Sequence, residues 1–80
     1  MWTLGPYSLS AGQQQRYGFT FVEGDAGLQV IGPHPITSGA ELQYTLPGVV
    51  LSSTCRLTYR ITVKNVGASV AEFYIRGTAI

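Results

Sequence analysis

Apolar and polar side chains alternate along the stretch from Arg56 to Arg76. Leu57, Tyr59, Ile61 and Val63 fall between Arg56, Thr58, Arg60, Thr62 and Lys64. A period of two is what a β-strand needs when one face is buried and the other is wet. The pattern breaks at Asn65-Val66-Gly67 and resumes with Ala71, Phe73 and Ile75 set against Val70, Glu72, Tyr74 and Arg76. The spacing predicts an antiparallel hairpin with a three-residue loop at Asn65-Val66-Gly67 and Gly67 in a left-handed conformation. That register sets Tyr59 opposite Phe73 and Arg60 opposite Glu72; a five-residue loop keeps the same parity. A hairpin with one apolar face must pack against another sheet.

The rest of the chain reads as short strands cut by turn residues. Pro6–Ser10 is an expected first strand, and Ala11-Gly12-Gln13 a turn. Gln14–Val22 is a strand with Tyr17, Phe19 and Phe21 on one face. Glu23–Gly27 is a loop, and Leu28–Ile31 a short strand. Gly32-Pro33-His34-Pro35 is expected to cross between sheets, because each proline removes a ladder donor. Thr37-Ser38-Gly39 turns the chain, and Glu41–Leu46 alternates with Leu42, Tyr44 and Leu46 inward. Pro47-Gly48 is expected to turn again, Val49–Leu51 to be short strand and Ser52–Thr54 a bend. The run 49–66 lacks Gly and Pro yet alternates with period two, so no helix is expected. The expected fold is all-β: one domain over residues 1–80, a small antiparallel β-sandwich of about seven short strands, immunoglobulin-like or a compact jelly roll.

Charge sharpens this picture. Charged residues make up 11% of the 80, against roughly 25% in an average soluble domain. A surface so poor in charge is rich in small polar residues, covered by a partner, or both. The net charge of +1 argues against nucleic acid, whose binding needs a basic patch. Residues 56–76 set Arg56, Arg60, Lys64 and Arg76 against Glu72, while residues 1–55 set Arg16 against Glu23, Asp25 and Glu41. This dipole hints at head-to-tail association or a weakly anionic ligand; chance among so few charges is the plainer reading. Cys55 is the single cysteine, so no intrachain disulfide forms, and a small core residue is its simplest role. No basic and apolar leader is visible at the N-terminus and no apolar run matches a membrane span. The chain reads as cytoplasmic or as a component of a larger assembly. Gly77-Thr78-Ala79-Ile80 ends the sequence on an apolar residue, which favours pairing of an edge with a second chain.

The segment YRITVKNVGASVAEFYI, residues 59–75, resembles the closing hairpin of bacterial immunoglobulin-like modules of the CARDB type. Val63, Asn65, Gly67, Ala71 and Phe73 carry the resemblance, over about a quarter of the chain. The earlier PYSLSAGQQQRYGFTF is similar to the opening strands of small bacterial sandwiches. The resemblance implies a non-enzymatic accessory or adhesive module, and it transfers no functional residue.

Candidate chemistry is sparse. Nucleophilic catalysis needs a Ser or Cys beside an oriented base; the one histidine, His34, lies between Pro33 and Pro35, and a pair with Cys55 is the weakest of the readings. Glu23 and Asp25 share a glycine loop that suits calcium, though two carboxylates are few for its shell and a plain acidic turn explains them. No enzyme activity, cofactor or firm metal site is expected. Aromatics are 11% of the chain. Phe19, Phe21, Tyr59 and Phe73 have core parity. Tyr74 has the parity of Arg60, Glu72 and Arg76, and Trp2 lies near the N-terminus, where it binds a partner or folds back to cap the sandwich. Tyr, Trp and Arg are enriched at interfaces. The expected function is therefore a non-catalytic binding or assembly module, a homo-oligomer or one with a protein partner, with Trp2, Arg60, Glu72, Tyr74 and Arg76 as its surface. The alternative is a lectin-like carbohydrate-binding domain that stacks a glycan on Trp2 or Tyr74.

Overall fold

The two most strongly alternating segments are both strands, but they do not pair with each other. The computed structural model describes residues 1–20, 29–51 and 57–79, and among these residues lie the strands β1 (Trp2–Leu9), β2 (Gln14–Thr20), β3 (Gln29–Pro35), β4 (Leu42–Leu51), β5 (Leu57–Asn65) and β6 (Ala71–Ala79). One sheet has the order β1-β6-β3 and the other β2-β5-β4. Every paired strand is antiparallel. The protein is thus a small antiparallel β-sandwich, with β5 and β6 as the central strands of opposite sheets.

The expected β5–β6 hairpin is therefore an arch between the sheets. Alternation states which face of a strand is buried; it does not state which neighbour completes the ladder. Here the apolar faces of β5 and β6 turn toward one another. Ile61, Val63, Phe73 and Ile75 are fully buried and, with Leu9, Ile31 and Tyr59, form the core. Trp2, Tyr7, Tyr17, Phe19, Leu42 and Leu57 pack around it. Tyr59 and Phe73 thus share a core rather than a ladder position, and Arg60 does not meet Glu72 across a hairpin.

Asn65 holds the arch. It is the buried polar residue of the core, 0% exposed, and its amide is fully used. Nδ2 donates to the carbonyls of Leu9 (3.0 Å) and Ser69 (2.7 Å), and Oδ1 accepts from the Gly67 amide (2.9 Å). Its backbone joins in, Asn65 N–H donating to Gln13 and its carbonyl accepting from Gly12. One residue thereby ties the end of β1 and the β5–β6 arch through its side chain and the β1–β2 turn through its backbone. Buried polar groups persist only when paired in this way. Gly67 is not among the glycines with positive φ, which are Gly5, Gly12 and Gly39. The fit there is close: a Cβ would stand 3.3 Å from Asn65 Oδ1, which would have to give by a few tenths of an ångström, and at an ordinary contact distance of 3.6 Å from the Glu41 amide nitrogen.

Two prolines behave differently from expectation. Pro33 and Pro35 lie within β3, opposite Ile75 and Phe73, not in a crossover. β3 is an edge strand, and the prolines occupy alternate positions, so their missing N–H groups fall on the unpaired side. Pro47-Gly48 is likewise no turn. The register of β4 against β5 slips between Thr45 and Gly48, a bulge that joins the two expected strands into one ten-residue strand. β1 begins earlier than expected, at Trp2, and slips register between Leu4 and Tyr7 around the cis Gly5–Pro6 bond. The turns at Ala11-Gly12 and Thr37-Ser38-Gly39 form as expected, the second closed by Ala40 N–H on the Thr37 carbonyl. The expected loop at Glu23–Gly27 and bend at Ser52–Thr54 lie outside the described residues, as do Phe21 and Cys55.

Candidate functional site

The five residues expected to share a binding surface occupy three places. Glu72, Tyr74 and Arg76 alternate with buried residues of β6 and so line the outer face of its sheet. Arg60 is exposed on β5, on the outer face of the opposite sheet, flanked in register by Gly18 and Gly48. Trp2 faces inward, opposite Gly77. Its ring lies so close over Gly77 that any side chain there would collide with it. It packs on Phe19 with centroids 5.4 Å apart, and its indole N–H donates to Gln29 Oε1 at 3.0 Å. Of the two roles open to Trp2 from sequence, the structure shows the packed one. It joins β1, β2, β3 and β6, and only Glu72, Tyr74 and Arg76 of the expected surface remain together.

Exposed apolar area collects elsewhere. Of the ten large hydrophobic residues exposed among those described, four lie on β4: Tyr44 (50%), Leu46 (53%), Val49 (53%) and Val50 (40%). Tyr44 and Val49 sit opposite Val63 and Tyr59, which are buried, so both belong to the inner face although they are an odd number of residues apart. The bulge between them reverses the parity. Among the described residues no strand lies outside β4 to finish burying them, and Tyr44 leans across to β3, where its hydroxyl lies 3.4 Å from the position of a Cβ on Gly32. The signal was present in the sequence as ten consecutive residues, Leu42–Leu51, without one charge. Reading Leu42, Tyr44 and Leu46 as core hid it, because parity does not distinguish a central strand from an edge.

Titratable groups give little chemistry. Among the described residues no three of His, Cys, Asp and Glu come together as metal ligands would; Glu23 and Asp25 lie outside those residues. His34 is exposed on β3 opposite Tyr74. A groove of about 360 Å³ opens between β1 and β2, lined by Trp2, Leu4, Gly18, Phe19 and Thr20, none of which titrates. No helix among the described residues is long and apolar enough to cross a membrane. The rings of Tyr7 and Tyr17 pack against each other with centroids 4.7 Å apart and planes tilted by 46°. Burial, and then the neighbouring Tyr7, raise the Tyr17 hydroxyl above its ordinary pKa. A phenol whose folded pKa is raised favours the folded state fully below its unfolded pKa of ~10 and loses that contribution as pH rises through the folded value. Urea midpoints at pH 8 and pH 11 should therefore fall further for the natural chain than for Tyr17→Phe. An equal fall in both would show that Tyr17 ionises without cost.

Fold and surface together define a class: a small β-sandwich with a packed aromatic interior and, among the described residues, one uncharged edge strand that exposes four large apolar side chains. Compared with known proteins, the chain matches no family model, no curated protein and no solved structure at a significant level.

Proposed function

We propose that this protein is a non-catalytic assembly module that acts through protein–protein contacts and associates with itself. The observation that carries the reading is the clustering of Tyr44, Leu46, Val49 and Val50 on one uncharged edge strand. Sheet edges that stay monomeric are normally guarded by charge, proline, a bulge or a cover; β4 has Pro47 and its bulge at the centre but no charge, and it exposes apolar side chains on both faces of its edge. The surface differs from the one expected from sequence: the apolar edge supports the contact, while Glu72, Tyr74 and Arg76 form a separate polar patch.

Light scattering coupled to size exclusion tests it. A discrete oligomer is expected, and it should persist in high salt, since screening weakens exposed ion pairs and leaves apolar burial intact. The double change Leu46→Lys and Val49→Lys should weaken association at least ~10-fold, a loss of about 1.4 kcal/mol, with the β-type circular dichroism unchanged. A mass of one chain at every concentration would end the proposal.

A further inference from the structure

We infer that two copies of this chain join edge to edge through β4, about a two-fold axis at the Leu46–Pro47 bulge, so that the sheets containing β2, β5 and β4 run on as one continuous sheet. This rests on the self-association proposed above and specifies its geometry.

Among the described residues four strands, β1, β2, β3 and β4, have one side without a ladder partner. β3 carries Pro33 and Pro35, which leave its outer side short of donors. β2 carries Arg16 and exposes Gln14 and Gln15. β1 is interrupted by the irregularity between Leu4 and Tyr7 and exposes Leu4 as its one large apolar side chain on the way. β4 is the longest of the four at ten residues and carries four exposed apolar side chains and no charge. Its bulge would ordinarily protect it, because a bulge interrupts the ladder. Here the bulge lies centrally and leaves two regular segments, Leu42–Thr45 and Gly48–Leu51, each paired with β5.

A second copy is the occupant these segments fit. In antiparallel pairing, directly opposed residues lie on the same face of the sheet, and a two-fold axis normal to the sheet keeps inner faces on one side. Tyr44 is an inner-face residue, and so is Val49; Thr45, Gly48, Gln43 and Val50 are outer-face residues, opposite Thr62, Arg60, Lys64 and Thr58. An axis at the bulge sets Tyr44 against the partner's Val49, Thr45 against the partner's Gly48 and Gln43 against the partner's Val50. Every pair then matches inner with inner and outer with outer. The match arises because the bulge shifts parity by one between the two halves. It also creates two symmetric aromatic–β-branched pairs, a favoured cross-strand combination, and opposes no like charges. An isologous contact of this kind closes on itself, giving a dimer and not a fibre.

Cysteine pairing reads the register directly. In a Cys55→Ser background, Tyr44→Cys and Val49→Cys chains are made separately and then mixed under mild oxidation. Directly opposed Cα atoms stand ~4.5–5.5 Å apart, within disulfide range. The mixture should give a cross-linked dimer, and each variant alone should not, because Tyr44 lies ~17 Å along the strand from its own copy in this register. Gln43→Cys with Val50→Cys repeats the test on exposed outer-face positions, in case the first pair disturbs folding. A protein that is oligomeric by light scattering but gives no cross-link in either mixture, or cross-links equally in the unmixed variants, overturns the β4 geometry and leaves self-association standing. A monomer throughout overturns both.

Discussion

Replacing Asn65 by Asp is expected to remove most of the stability of this domain at neutral pH. Asn65 is 0% exposed, and its Nδ2 donates to two backbone carbonyls. The Asn65→Asp carboxylate would confront the same two oxygens with a charge and no donor. An uncompensated buried charge costs ~3–5 kcal/mol, against a total of roughly 0.05–0.15 kcal/mol per residue for a folded domain. The loss should depend on pH. A buried carboxyl that keeps the Gly67 N–H as a donor but faces two carbonyl oxygens has a folded pKa above its unfolded value of ~3.9, so the folded state prefers the protonated form. The variant's deficit should be smallest below about pH 4 and widen as pH rises through the folded value. Asn65→Ala loses the same hydrogen bonds without a charge, at ~1–3 kcal/mol for each buried group left unpaired, and its deficit should be level across that range. Urea midpoints of the two variants at acid and neutral pH make the comparison; a pH-independent deficit for Asn65→Asp would mean the arch opens to water.

Phe73→Ala should cost nearly as much, ~3–5 kcal/mol. Phe73 lies on the central strand of its sheet, 0% exposed, with Tyr7 and Tyr17 at centroid distances of 6.0 and 6.1 Å. Its backbone is paired on both sides, with Tyr7 in β1 and Pro35 in β3, so truncation leaves the ladder intact and isolates the packing loss. Guanidinium unfolding followed by far-ultraviolet circular dichroism measures the loss of stability, and the near-ultraviolet signal should report the loosened tyrosines. A loss below about 1 kcal/mol would show that β1 and β2 collapse into the vacated volume.

How much of this was legible in sequence can be argued element by element. The faces of β5 and β6 were, since alternation is a local property and Ile61, Val63, Phe73 and Ile75 are all buried. Their partners were not: an arch and a hairpin impose the same alternation, and the difference lies in a side chain, Asn65, folding inward to bind three backbone groups. Asn-x-Gly signals a turn in either case. Pro33 and Pro35 were read correctly as hostile to a central strand; the remaining option, an edge strand, follows from the same physics. The misplaced surface has one cause. Parity puts Arg60 and Tyr74 on a common face when β5 and β6 are neighbours in one sheet; across a sandwich, the same parity puts them on opposite outsides. The class of fold survived because it depends on burial pattern and turn frequency rather than on pairing.

The interleaving of the strands has a consequence for how the chain comes to be folded. β1 and β3 both need β6, and β2 needs β5; β4 and β5 are the one pair of paired strands consecutive in sequence. Everything made before residue 57 therefore waits without its central partner. At roughly 5–20 residues per second of synthesis, that wait lasts on the order of seconds, longer than many small domains take to fold once complete. Nonlocal pairing of this kind also slows the search itself. During that interval the uncharged stretch Leu42–Leu51 is exposed in a chain with almost no repulsive charge to keep neighbouring copies apart. The hazard of this architecture falls before the sandwich closes, and it falls on the same residues that are proposed above as the contact between copies.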